Sequence, residues 1–239
     1  MRPFLKLGLP LLCFSVGSQA FSLSDGKIPF QIGAFRASQG VEQHINIMGL
    51  IGNQYTVTDK NDGNFLLGLG YFLSGPQHAA FDLSYGINAF YLAKTRVQGN
   101  IVQENMFTNL SYRYDTSNVP VYAAAKAEIK NSAGKFALTL DGGIGPNFVR
   151  TSAYREQSLD GGISIPANLF GGTTNTTLSA MGGIGIKINN MFGHAPLECG
   201  YRFFYLGEGH FSGQNTQLLN TLKTGNNYAQ AIVCAVTAF

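Results

Sequence analysis

His210-Phe211-Ser212, with Glu208 two residues upstream, is a short run whose residue types could assemble nucleophilic chemistry. An imidazole beside a hydroxyl can take its proton, and a carboxylate can orient the imidazole. The run also opens a polar stretch at Gly209, so the competing reading is an outer loop without catalysis. His44, His78 and His194 fall on separate segments with no metal-ligand spacing. Asp59, Asn61, Asp62 and Gly63 suggest a calcium loop, but such a loop needs a glutamate six residues after its glycine, and that position is Leu69. A turn is the better reading. Gly142-Gly143-Ile144-Gly145 and Gly182-Gly183-Ile184-Gly185 precede no helix, so they read as strand glycines that admit bulky neighbours, not as a nucleotide loop. No metal and no cofactor is expected. Cys199 and Cys234 lie either side of a polar segment centred near residue 217. Folding the chain there pairs 199 with about 235, so the two form a disulfide or remain two small free residues.

The elements that carry these residues are strands. From Phe81 to Ala93 the odd positions Phe81, Leu83, Tyr85, Ile87, Ala89, Tyr91 and Ala93 are apolar or aromatic. Asp82, Ser84, Gly86, Asn88 and Lys94 hold the other parity, broken by Phe90 and Leu92. A strand sends successive side chains to opposite faces, so this ribbon is apolar on one side only. Similar alternation recurs at 29–38, 44–58, 64–73, 102–115, 119–130, 135–149, 178–189, 196–207 and 228–239. Long polar loops are expected near 150–177 and 209–225. The polar parity contributes Asp82, Lys94, Glu104, Arg113, Lys126, Glu128, Asp141, Lys187, Glu198 and Arg202, with the two signs nearly balanced.

Composition selects the solvent on each face. Charged residues are 12% of the chain, against about 25% in ordinary soluble domains. No apolar run after residue 20 nears the ~18 residues of a membrane helix. Residues 1–20 combine a basic start, an apolar run from Leu7 to Val16 and a small-residue close at Ser18 and Ala20, which predicts a removed signal peptide. Sixteen basic and 13 acidic residues become a balance of about +1 once Arg2 and Lys6 are gone, so no nucleic-acid surface is expected. The prediction is all-β: a closed antiparallel transmembrane barrel over 21–239, its apolar face toward lipid and its charges paired in the lumen.

Two features carry a resemblance. The chain finishes an alternating strand on Phe239, and Tyr201-Arg202-Phe203-Phe204-Tyr205-Leu206-Gly207 precedes it. Both resemble the last two strands of small OmpA-like and opacity-type outer-membrane barrels of Gram-negative bacteria. The resemblance implies an outer-membrane location, insertion machinery that reads the C-terminal strand, and lipid and lipopolysaccharide neighbours. Those barrels usually have eight strands. The segments near 44–58 and 119–130 are extra, so ten strands are favoured here, with eight as the alternative. Locally, His210-Phe211-Ser212 is similar to the His-x-Ser pair of outer-membrane lipid A deacylases, but Lys223 and Thr224 stand where those enzymes carry an acid. The expected role is structural, adhesive or surface-interacting, without enzymatic activity and with an unknown surface ligand. A narrow pore for small solutes and a lipid A hydrolase are the alternatives.

Overall fold

The computed structural model describes residues 26–131, 135–193 and 195–238. The expected leader at 1–20, His194 and the terminal Phe239 lie outside those residues.

Twelve strands form among the described residues: β1(Ile28–Ser38), β2(Gln43–Ile45), β3(Asn53–Asp59), β4(Asn61–Gln77), β5(Phe81–Gln103), β6(Phe107–Lys130), β7(Phe136–Ser158), β8(Phe170–Gly171), β9(Thr174–Phe192), β10(Ala195–His210), β11(Ser212–Gly213) and β12(Lys223–Ala238). β1, β4, β5, β6, β7, β9, β10 and β12 pair antiparallel in that order, and β12 returns to β1. Eight strands therefore close the ring, not ten. Segment 44–58 becomes β2 and β3, a flap that extends the wall on β5. Segments 102–115 and 119–130 merge, apart from the first few residues, into the single strand β6. Glu104 and Asn105, at φ 49° and 56°, turn β5 directly into it. The polar stretches expected at 150–177 and 209–225 shorten to 159–173 and 211–222, because β7, β9, β10 and β12 run further than the alternation suggested.

β5, β6 and β7 are 23, 24 and 23 residues long. A membrane needs ~9–11 residues per tilted strand, so more than half of this wall stands clear of lipid. The strands are joined by short connections at one end, between β4 and β5 at 78–80, between β6 and β7, and between β9 and β10. The long loops gather at the other. Short turns belong on the periplasmic side and longer loops outside.

The outer surface changes character along this axis. Around the turn-end half it is apolar: Ile32, Leu69, Ile87, Ile144, Leu178 and Ile232 are each more than half exposed. Such a band is stable only against hydrocarbon. Above it, outward positions become polar, as in Lys94, Arg96, Asp115, Arg150 and Thr174.

A bulge makes the exchange on β5, and β7 bulges just above the level of its own exchange. On β5 the pairing to β6 slips between Leu92 and Thr95. Below the slip Tyr85, Ile87 and Tyr91 face out, while above it Ala93, Thr95, Val97 and Ile101 face in. On β7 the pairing slips near Ala153, which takes φ 52°, and Tyr154 and Glu156 then point inward. An extra residue in one strand rotates everything beyond it to the opposite face.

Candidate functional site

The lumen is filled in layers. At the turn end Lys126 binds Glu198, Lys187 Nζ donates to both carboxylate oxygens of Glu128 at 2.7 and 2.8 Å, and Arg202 Nη2 donates to Asp141 Oδ2 at 2.6 Å. Arg202 also lies 3.5 Å from Glu198 Oε1, which accepts from Thr139 Oγ1 at 3.1 Å. These six charges thus form one compensated cluster, as burial of charge requires. Gly183 makes the room: a Cβ there would sit 2.2 Å from Asp141 Oδ1. The small cavity lined by Lys126, Glu128, Lys187 and Glu198 is about 40 Å³, space for a water but not for a solute.

Above the charges, Phe90, Tyr122 and Phe204 cross the lumen with ring centroids 5.2–6.4 Å apart. All three are 2% exposed or less, as are Leu66, Leu92 and Leu206 beside them. Gly68 lets Phe90 in, since a Cβ there would come within 2.7 Å of its ring. The off-phase residues Phe90 and Leu92 therefore plug the barrel. Tyr122 Oη bonds Ser179 Oγ at 2.6 Å. A layer of amides and hydroxyls follows, in which Asn147 Nδ2 donates to Asn118 Oδ1 and Leu206 O, and Gln39 Nε2 donates to Thr95 Oγ1. Eight-stranded rings enclose just enough width for side chains to fill.

Four of the ten expected lumen charges lie elsewhere. Asp82 pairs with Lys130 at the periplasmic rim, 2.7 Å apart. Lys94 and Arg113 face outward, Lys94 because of the β5 bulge and Arg113 because β6 carries its apolar residues on the inward parity at that height. Glu104 is the hairpin tip itself, where its Oε2 accepts from Ile51 N at 2.9 Å. Asn109, on the same polar parity, likewise lies at the rim. Cys199 and Cys234 are register partners with Cα atoms 4.1 Å apart, and the structure joins them in a disulfide on the outward, lipid-facing side.

His210 and Ser212 do not meet in a dyad. The His210 ring bonds Asn175 Nδ2 through Nε2 at 3.0 Å, and Ser212 Oγ donates to Gly171 O at 3.1 Å. Glu208 pairs with Lys223 at 3.0 Å and so does not orient the imidazole.

Sequence reasoning missed the crown, a second core above the membrane. Tyr55, Tyr112, Tyr114, Tyr154, Phe170 and Phe211 pack there with centroids 4.9–6.4 Å apart. At its centre Tyr154 Oη donates to Glu156 Oε1 at 2.5 Å and bonds Tyr55 Oη at 3.1 Å. Glu156 Oε2 accepts from the backbone of Ala167 and Asn168 at 2.9 and 3.1 Å, holding the 159–169 loop over the core. Burial, then the nearby Tyr55 and Glu156, push the Tyr154 hydroxyl far above its ordinary value. Asp160 lies well below the usual carboxylate range, held by the Ser158 and Ser164 hydroxyls. The signal was present in the recurring tyrosines of 112, 114 and 154, all at positions that face inward once the bulge on β7 is known.

The loops above this core are zipped together. Met48 N donates to Gln217 O and Leu219 N to Asn46 O, both at 2.9 Å. Glu104 N donates to Gly52 O, Leu159 N to Asn109 O, and Asn109 Nδ2 to Ser164 Oγ. Along this rim Met48, Ile51, Met106, Phe107, Ile163 and Ile165 are exposed, the last two at 84% and 82%. No helix among the described residues is long and apolar enough to cross a membrane.

A closed antiparallel ring with an apolar outer band, a filled lumen and loops collected at one end defines a small bacterial outer-membrane β-barrel. Solved structures to which the chain is similar include OprG from Pseudomonas aeruginosa, at 13% identity and TM-score 0.49 over 89% of this chain and 96% of that one. Neisserial surface protein A is similar at 8% identity and TM-score 0.46, over 92% and 99%. The outer membrane protease OmpT from Escherichia coli is similar at 8% and 0.48, over 93% and 99%. No protein-family model matches the sequence, and no curated protein does.

Proposed function

We propose that this barrel is a closed anchor that presents a rigid, apolar-tipped crown to a macromolecular partner outside the cell, without transport or enzymatic activity. The observation that carries the reading is the rim. Ile163 and Ile165 stand almost fully exposed at the top of loops that are hydrogen-bonded to one another. Monomeric surfaces rarely leave large apolar side chains clustered in water, and such clusters mark contact sites. The core beneath keeps the rim in one conformation, so less ordering entropy opposes binding.

Two measurements test this. Bacteria displaying the Ile163→Asn/Ile165→Asn variant should adhere to host-cell monolayers several-fold less than bacteria displaying the wild type. Equal adherence at equal surface level would remove the rim from the proposal. Planar-bilayer recording should give no discrete channels, because ion pairs and the Phe90–Tyr122–Phe204 layer both bar the lumen. Reproducible unitary conductance would replace the anchor by a pore.

A further inference from the structure

The outward wall of β5, β6 and β7 above the apolar band carries positive charge that the fold does not use. Lys94, Arg96, Arg113, Arg150 and Arg155 project from it against Asp115, with Asp59 and Asp62 beside Lys94 and Arg96 only. Arg96 Nε donates to Asp115 Oδ1 at 3.0 Å. Lys94, Arg113, Arg150 and Arg155 have no ion-pair partner among the described residues. Arg113 and Arg155 are also direct register partners on adjacent strands. Like charges placed opposite each other destabilise a sheet unless an anion lies between them. Both line a shallow cleft of about 180 Å³ whose remaining walls are amides and hydroxyls, including Gln98, Ser111 and Gln157. Guanidinium groups among amides and hydroxyls on a flat sheet suit a sugar phosphate, because each guanidinium can bind a phosphate through two N–H groups.

Height identifies the source of the phosphate. Val119 and Phe148 mark the upper edge of the outward apolar band on β6 and β7. Arg150 stands two residues beyond Phe148, about 5 Å up at ~3.3 Å per residue and a ~40° tilt. Arg113 stands six residues beyond Val119, about 15 Å up by the same reckoning. The headgroup layer of a phospholipid leaflet adds only ~5–8 Å to the hydrocarbon. Phospholipid phosphates therefore reach Arg150 and Lys94 but fall short of Arg113 and Arg155.

We infer that the β5–β7 wall binds the phosphorylated sugars of outer-leaflet lipopolysaccharide, with Arg113 and Arg155 clasping a core-sugar phosphate and Arg150 and Lys94 meeting phosphates at the lipid surface. The site is independent of the partner proposed for the rim.

The full-length protein, reconstituted in nanodiscs, tests the site by titration with three probes: lipopolysaccharide carrying a phosphorylated core, the same lipid with core phosphates enzymatically removed, and phosphatidylglycerol. Arg113→Ser/Arg155→Ser should weaken the first about tenfold or more and leave phosphatidylglycerol unchanged. Arg36→Ser, on the outward face of β1 across the ring, should change neither. Wild-type protein should show the same tenfold loss on the dephosphorylated lipid, an arm that depends on no variant folding. Unaltered lipopolysaccharide affinity in either arm overturns the inference. So does an equal loss for phosphatidylglycerol, which would mean only general attraction between a basic surface and an anionic membrane.

Discussion

The lumen inside the membrane and the core of the crown are two fillings of one tube, built on opposite rules. In the membrane section the apolar side chains face outward and six charges meet inside, where Lys126, Glu128, Asp141, Lys187, Glu198 and Arg202 satisfy one another. In the crown the order is that of a soluble protein, with tyrosines and phenylalanines inside and Arg, Gln and Ser outside. The strands β5, β6 and β7 pass through both. What differs is the solvent against the outer wall, and that solvent decides which parity can be apolar. A buried carboxylate occurs in each region, but Glu198 answers to two cations whereas Glu156 answers to backbone amides and a tyrosine hydroxyl.

The largest effect that could break this comparison lies in the charged layer. Arg202→Ala leaves Asp141 without its partner and should lower unfolding stability by about 3–5 kcal/mol, measured by urea titration of protein in lipid vesicles. A loss below about 1 kcal/mol would mean that water, not Arg202, compensates Asp141. Next, the Cys199→Ser/Cys234→Ser variant should lose about 2–4 kcal/mol in the same titration while its crown stays resistant to protease. If loop cleavage accelerates in step, the two regions are one cooperative unit. Tyr154→Phe removes the hydroxyl between Tyr55 and Glu156 and should cost about 1–2 kcal/mol. That loss should appear as faster nicking of the 159–173 loop, with the membrane section's urea midpoint unmoved.

The smallest effect near neutrality becomes visible only in alkali. Burial raises Tyr112 and Tyr154 above the ordinary tyrosine value of 10.0. A group whose value rises on folding stabilises the fold fully below its unfolded value and loses that contribution as pH climbs past it. The crown should therefore hold through pH 10 and loosen above it, with phenolate absorbance and loop proteolysis rising together. Ionisation of all the tyrosines near pH 10 without loosening would show that water already reaches this core.

The membrane section was legible in the sequence because one parity stayed apolar and the charges on the other were balanced. All six residues of the inner ion cluster came from that pattern. The upper half was not legible, for a physical reason visible on β5 and β6. On β5 the odd positions stay uncharged and mostly apolar from Tyr85 to Ile101, but the bulge after Leu92 turns them from lipid to core. The sequence thus shows one uniform ribbon where the molecule has two, and Lys94 was sent to the wrong side. β6 does the reverse. Its backbone keeps phase while its apolar residues move from the even positions Leu110, Tyr112 and Tyr114 to the odd positions Val119 and Val121. That change of parity looks like a break between two strands and accounts for one of the two surplus strands, the other being segment 44–58, which leaves the ring as β2 and β3. The crown escaped notice because its aromatic members come from five separate segments, which no local pattern connects.

The levels at which the outward face turns polar, at Lys94 on β5 and at Arg150 on β7, also act as a waterline. Below them an outward position that meets water exposes Ile87 or Ile144, and at or above them one that meets hydrocarbon buries Lys94 or Arg150. Sliding the barrel by one residue pair in either direction is penalised from both sides at once. In bilayers of different thickness the protein should therefore keep its height, and the lipid around it should stretch or thin to meet the band.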